Sequence, residues 1–316
     1  YKTTKDMLLA APMPIYMGYA SNTYTNIGEA NNRGIEMNLE WRDKTESGFE
    51  YNVGVNMSTI RNRMTKLNGG TPISDGPFRN GSMYLTYTNE GMPIGAFWGY
   101  KTDGLIQTQE QLNAVKRADF QPNAELGDVL FVDTNGDGKL DSSDRCMIGN
   151  PIPDIIYGIN MGMAWKGFDL NLQFGGTIGN QIFNAMRYYT YFPNDITNKD
   201  RALMNYWTPN NTNTDIPRLT ATDVNDNDRF SDMYVENGTY FRLRNAQLGY
   251  TLPASLTQRI KLQKVRFYVS GQNLFTISSY SGMDPEVGQS SSLSRGIDYG
   301  IYPQNISFTG GINVTF

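Results

Sequence analysis

Ile306-Ser-Phe-Thr-Gly-Gly-Ile-Asn-Val-Thr-Phe316 ends the sequence in strict alternation. Ile306, Phe308, Gly310, Ile312, Val314 and Phe316 share one face of an extended strand, and Ser307, Thr309, Gly311, Asn313 and Thr315 share the other. About ten residues of this kind are what a membrane-spanning β-strand requires, because lipid needs one greasy face while a barrel lumen accepts polar side chains. One such strand would also suit half of a soluble sandwich. Its recurrence through the chain points to an outer-membrane β-barrel.

Ile35, Met37, Leu39 and Trp41 alternate with Glu36, Asn38, Glu40 and Arg42. Phe49, Tyr51, Val53, Val55 and Met57 alternate with Glu50, Asn52, Gly54, Asn56 and Ser58, so the two runs make a hairpin around 43–48. Tyr157, Ile159, Met161, Met163 and Trp165 lead through Lys166-Gly167 into Phe168, Leu170, Leu172 and Phe174. The segment Tyr240–Leu252 returns through Val265, Phe267 and Val269. Its parity changes between Leu243 and Ala246, which predicts a β-bulge near Arg244-Asn245. Counting Tyr1–Leu8, roughly eight strands are visible.

Connection lengths sort in the same sense. Turns at 43–48, around 167 and at 251–264 are short or moderate, and they alternate with long connections at 61–156, 178–238 and 276–305. Outer-membrane barrels keep short turns in the periplasm and long loops outside. Trp41, Phe49, Tyr51, Trp165, Phe168, Tyr250, Phe267 and Phe316 all gather at the strand ends this assigns to the periplasm, where an interfacial girdle belongs. The charged residues expected inward are Glu36, Glu40, Glu50, Lys166, Asp169 and Arg266. They suit a wide, wetted lumen better than the tight interior of an eight-stranded barrel.

Composition narrows the function. The 316 residues carry a net charge of −4 and a mean hydropathy of −0.48, values that hide a barrel because alternation averages each strand. No apolar run is long enough for a membrane helix, and the mild acidity gives no footprint for nucleic acid. There is no histidine, which removes Ser-His-Asp and Cys-His catalysis, and the single Cys146 rules out an internal disulfide framework. No carboxylate pair stands out as a glycosidase acid and base, so no enzymatic activity is expected. The start at Tyr1, without a signal peptide, suggests a piece of a longer or processed polypeptide.

Glu90-Gly-Met-Pro-Ile-Gly-Ala-Phe-Trp-Gly-Tyr-Lys-Thr-Asp-Gly104, Asn31-Asn-Arg-Gly-Ile-Glu36, Gly149-Asn-Pro-Ile-Pro-Asp154 and Lys166-Gly-Phe-Asp-Leu170 resemble segments of SusC/RagA-type TonB-dependent transporters. Asn237-Gly-Thr-Tyr-Phe-Arg-Leu-Arg-Asn245, Leu248-Gly-Tyr-Thr-Leu-Pro253, Tyr268-Val-Ser-Gly-Gln-Asn-Leu-Phe275 and Tyr302-Pro-Gln continue the likeness in order. The resemblance implies the C-terminal part of a 22-stranded, antiparallel, up-and-down transmembrane β-barrel in the outer membrane of a Bacteroidetes-type bacterium. It implies import of oligosaccharides or peptides driven by TonB, a SusD-like surface lipoprotein as a hinged lid, and contact with outer-membrane lipid. The family's signal peptide, TonB box, plug domain and first strands have no counterpart in this sequence.

Two local motifs invite a site. In Asp133-Thr-Asn-Gly-Asp-Gly-Lys-Leu-Asp-Ser-Ser-Asp144, oxygen ligands from Asp133, Asn135, Asp137, Asp141 and Asp144 fall at positions 1, 3, 5, 9 and 12, with the Lys139 carbonyl at 7. That is the spacing of an EF-hand calcium loop, so a structural Ca2+ is expected to pin the 61–156 loop. Asp144 stands where glutamate is usual, and Phe131-Val132 reads as extended rather than helical. An Asx-rich turn without metal would show the same residues. The second motif is aromatic: Tyr188, Tyr189, Tyr191, Phe192 and Trp207 are expected to pack the loop or meet the lid, ahead of touching substrate. The run Asp223–Asp228 reads as a solvated loop.

The expected function is therefore import of a nutrient oligomer. A passive porin or siderophore-type receptor is the rival on the same fold, and a secreted calcium-binding β-sandwich adhesin is the rival from another class.

Overall fold

The computed structural model describes residues 1–11, 23–67, 72–192, 198–288 and 291–316. Parts of the three long connections, at 68–71, 193–197 and 289–290, lie outside the described residues. Seven strands form one antiparallel sheet: β1 (Glu36–Lys44), β2 (Glu50–Thr59), β3 (Ile155–Trp165), β4 (Phe168–Ile178), β5 (Tyr240–Thr251), β6 (Lys264–Ser278) and β7 (Ser307–Thr315). Each pairs with the next in chain order, which is an up-and-down meander with β1 and β7 at its open edges.

Register makes the two faces of this wall unambiguous. Trp41, Val53, Met161, Leu172, Ala246, Gly271 and Phe308 are lateral partners in one row. Below it, Trp165, Phe168, Tyr250, Phe267 and Ile312 form the aromatic end row expected of a girdle. The reverse face carries Arg42, Asn52, Gly162, Asn171, Gln247, Ser270 and Thr309 in the matching row. The apolar face is left bare: Leu39 is 57% exposed, Leu248 48%, Val269 59% and Phe308 78%. A soluble sandwich would bury such a face against a second sheet, and no described element covers it. Lipid is the solvent that makes this wall stable.

The turns follow from local chemistry. Lys166 (φ 46°) and Gly167 (φ 88°) join β3 to β4 with both central residues left-handed, as a two-residue type I′ hairpin requires. Lys166 is thus a turn residue, with its ammonium 4.4 Å from the Trp165 ring centroid, and not an inward wall charge as expected. The predicted bulge is present. Gln173 faces Asn245 and Phe174 faces Leu243, so Arg244 is the extra residue, and opposite it on β6 Asn273 adopts φ 53°. That extra residue returns Phe241 and Leu243 to the same outer face as Ala246, Leu248 and Tyr250.

The strand count needs one correction. Tyr1–Leu8 belongs to Lys2–Ala11, which pairs with Thr23–Arg33 in a three-stranded sheet with Arg61–Leu67, and not to the wall. Both Thr23–Arg33 and Arg61–Leu67 prolong the β1–β2 hairpin upward, so the start of the chain pairs above the wall.

The three long connections are folded. Phe78, Leu85, Phe97, Ile148, Phe183, Tyr188, Phe230, Tyr234 and Ile297 are buried together, and they come from all three. The hydrophobic core of this protein therefore sits in a loop-built body at one end of the wall. The stretch Glu90–Gly104 lies inside it: a Cβ on Gly99 would stand 2.4 Å from the Phe230 carbonyl oxygen.

Candidate functional site

The inner face of the wall is dominated by amides and small residues. Asn52 occupies the space a Cβ on Gly162 would need, 2.2 Å from its Oδ1, and Asn56 does the same beside Gly158 at 2.8 Å. Lower down, Arg266 donates to Asp169 Oδ1 at 2.9 Å and Oδ2 at 2.5 Å, crossing over Gly249, whose missing side chain leaves room for the guanidinium. Tyr268 lies across Gly311 in the same manner. The surface so formed offers hydrogen-bond donors and acceptors with its few charges partly neutralised, which suits a hydrated channel wall.

At the junction of wall and loop body a charged clamp fixes the 279–306 connection. Arg242, from β5, is 2% exposed and donates to Asp284 Oδ1 at 2.6 Å, Glu286 Oε2 at 2.8 Å and Thr276 Oγ1 at 2.8 Å. Arg244 Nη2 reaches Glu286 Oε1 at 3.2 Å. Burial opposes ionisation of Asp284, but the Gln304 and Glu286 amides and the Arg242 guanidinium together hold its carboxyl below the usual range. Tyr280 donates to Asp298 Oδ2 at 2.6 Å nearby, and burial with that acceptor raises its phenol. Neither Arg242 nor Asp284 stands out in sequence, because their pairing crosses 42 residues.

The five aromatic candidates do not form one surface. Tyr188 and Phe192 are buried in the central loop core with Tyr234, and burial pushes the Tyr188 phenol well up. Tyr189 is half-buried against the same core, and Tyr191 is half-buried beside the Arg187 guanidinium. Trp207 lies in a separate cluster with Leu105, Phe120, Val129 and Phe131, pressed against Gly127, and donates Nε1–H to Gln107 at 2.8 Å.

The 133–144 loop is held by its own amides. Asp133 Oδ1 accepts from Gly136 N–H at 2.6 Å and Oδ2 from Gly138 N–H at 2.8 Å. Asn135 and Asp137 accept from Asp137 and Lys139 N–H at 2.8 and 2.9 Å. Asp144, fully buried, accepts from Thr134 and Asp141 N–H, each at 3.0 Å, and Asp141 accepts from Ser143 N–H at 2.7 Å. The Gly138 amide foremost lowers Asp133, and the Ser143 amide lowers Asp141. Among the described residues no three acidic, histidine or cysteine side chains converge on one metal position.

Asp223–Asp228 corrects the sequence expectation. Asn225 and Asn227 are buried, with Asn225 Oδ1 accepting from Gln121 at 3.0 Å and Asn227 donating to Asp128 Oδ1 at 3.0 Å. Arg218 Nε completes the chain, 2.6 Å from Asp128. The run reads as solvated because asparagine and aspartate dominate it. Its partners lie about a hundred positions upstream, beyond any local pattern.

Residues 1–135 match the family described as TonB dependent receptor-like, beta-barrel. TonB-dependent receptor P3 of Formosa agariphila is 37% identical over 99% of this chain and 31% of its own length. TonB-dependent receptor SusC of Bacteroides thetaiotaomicron is 26% identical, over 100% of this chain and 29% of its own. Among solved structures, the RagAB peptide transporter superposes with a TM-score of 0.76 at 25% identity, covering 99% of this chain and 32% of that one. The chain thus spans about a third of the length of the relatives it matches.

Proposed function

We propose a function from one premise: this chain is a SusC/RagA-like part of a TonB-dependent receptor β-barrel, an outer-membrane protein of the Bacteroidetes type. It forms a sector of the wall of a nutrient importer, closed by further strands, and carries loops that face the outside. The observation that carries this reading is the wall itself, with a bare apolar face, an amide-rich inner face and one folded body of loops. The cargo is an oligosaccharide or peptide. TonB energises its entry through parts that belong to the longer receptor.

The 61–156, 178–238 and 276–305 connections are the extracellular side, and a SusD-like lipoprotein rests on them as the lid. Within the aromatic group, Tyr189 and Tyr191 are the ones available for such contact, with Tyr188, Phe192 and Trp207 supporting the surface from beneath.

The 133–144 loop binds calcium in this reading. Its ligand spacing supports it, and a carboxylate oxygen that accepts one N–H keeps a second lone pair. Titration calorimetry on metal-stripped receptor should show one site, and an absence of heat at millimolar calcium removes the idea.

The import reading is tested by extracting native outer membrane in mild detergent, purifying the receptor and identifying what travels with it by mass spectrometry. A SusD-like lipoprotein and plug-domain peptides are expected. A lone barrel with neither would shift the reading to a passive porin.

A further inference from the structure

The β1–β2 hairpin does not end at the top of the apolar band. Met37 pairs with Met57 and Glu36 with Ser58. Thr59 N–H donates to the Ile35 carbonyl oxygen at 2.9 Å while Ile35 N–H donates to the Thr59 hydroxyl at 2.8 Å, and the same register then resumes with Arg33 opposite Arg61 and Asn31 opposite Arg63. Side-chain parity is therefore the same on both sides of the break in the ladder at Gly34–Ile35. The outward face that bears Leu39, Met37 and Ile35 goes on to bear Arg33, while its partner strand goes on from Met57 to Arg61 and Arg63. At ~3.4 Å per residue, Arg33 stands ~7 Å above Ile35. The alternate residues Ala30 and Met64 are buried in the loop core, which confirms the sense of the face.

Arg33 and Arg61 are direct cross-strand neighbours of like charge, an arrangement that destabilises a sheet when nothing neutralises it. Among the described residues, none of the three guanidinium groups makes an ion pair or a side-chain hydrogen bond. The clamp on β5 differs, because there Arg242 and Arg244 share Glu286. The three arginines line one open cleft with Asn31, Tyr1 and Asp154, the only carboxylate among the described residues that line it. Tyr1 accepts from Asn31 Nδ2 at 2.8 Å, which fixes one wall of that cleft.

Three cations against one carboxylate, directly above a greasy ridge, match an amphipathic ligand with an anionic head. We propose that Arg33, Arg61 and Arg63 bind a phosphate group of an outer-leaflet glycolipid, whose acyl chains lie on Ile35, Met37 and Leu39 below. Guanidinium groups take phosphate oxygens in pairs, and ligand charge relieves the Arg33–Arg61 repulsion. This site rests on the outer-membrane reading given above.

The test uses the complete receptor purified from its native membrane, with a second preparation carrying Arg33→Gln, Arg61→Gln and Arg63→Gln together. Outer-membrane glycolipid, the same lipid with its phosphates removed, and inorganic phosphate are the three probes, and retained lipid is read by native mass spectrometry. Phosphorylated lipid should be retained at least about tenfold better by the unmodified receptor than by the triple variant, as expected for losing even one charge-assisted contact. Dephosphorylated lipid should show no such difference. Equal retention by both proteins, or retention indifferent to the phosphate, overturns the site. Displacement of the lipid by equimolar inorganic phosphate overturns the lipid assignment in favour of a free anion. Membrane fractionation and a heat-modifiable gel shift of both proteins report on the barrel reading separately, so the lipid site can fail while that reading stands.

Discussion

Arg242 shows how one side chain joins the wall to the loop body. It is among the largest fully buried side chains, and the cost of desolvating its charge is offset by Asp284, Glu286 and Thr276. Arg242→Ala leaves Asp284 buried with only amide partners, a change that costs about 3–5 kcal/mol for a broken buried pair. Thermal unfolding of the detergent-purified receptor should register it, and adding Asp284→Ala should restore part of the loss. Equal, small effects of single and double variants would show that the clamp contributes little. The pH dependence has a definite sign. The folded-state pKa of Asp284 lies below its unfolded value, so its contribution is fully present above about pH 4 and is lost as pH falls through the folded value. Protease sensitivity of the 279–306 connection should therefore rise in acid and stay flat from pH 5 to pH 8, within the range where Asp is ionised.

The bulge at Arg244 is the clearest case at the level of an element, because the sequence alone predicts it. A strand has a side-chain period of two, so a parity break between Leu243 and Ala246 leaves one residue to be absorbed. Deleting Arg244 should push Phe241 and Leu243 to the lumen and Arg242 toward lipid, abolishing the heat-modifiable folded band. Arg244→Ala keeps the extra residue and removes a half-exposed ion pair and a hydrogen bond to the Tyr240 hydroxyl, so it should still fold. A deletion variant that folds as well as the substitution would deny the bulge its register role. Wall strands, turns and part of the girdle were legible for the same reason, because lipid on one side forces a pattern that short windows reveal, although Trp41 lies in the row of Met161 and Leu172 and not in the aromatic end row. The loop body was not. Its core joins Phe78, Phe183 and Ile297 across two hundred residues, and its asparagines look solvated until Gln121 and Asp128 arrive from elsewhere. The upward continuation of the first hairpin was also missed, because Arg33 and Arg61 break the apolar alternation that defines a strand to the eye.

For the whole molecule, the decisive property is that the greasy side is the outside. The rows across the middle of the wall keep their large apolar members on the face that no described element covers, while the core is displaced into the loops. A soluble protein inverts this order, burying the apolar face and wetting the polar one. Leu172 and Gln173 are neighbours near the middle of β4 and point to opposite faces, so they ask the question with the same substitution. Leu172→Lys places an ammonium against the hydrocarbon and should cost about 2–4 kcal/mol, the depth-dependent penalty at a bilayer midplane. Gln173→Lys places the same group in the wetted lumen and should fall within about 0.5 kcal/mol of the parent, as surface substitutions do. Both are read from urea unfolding in lipid vesicles, followed by intrinsic tryptophan fluorescence. If Gln173→Lys proved the more damaging, the amide face would be the buried one, and the wall would have to be turned inside out.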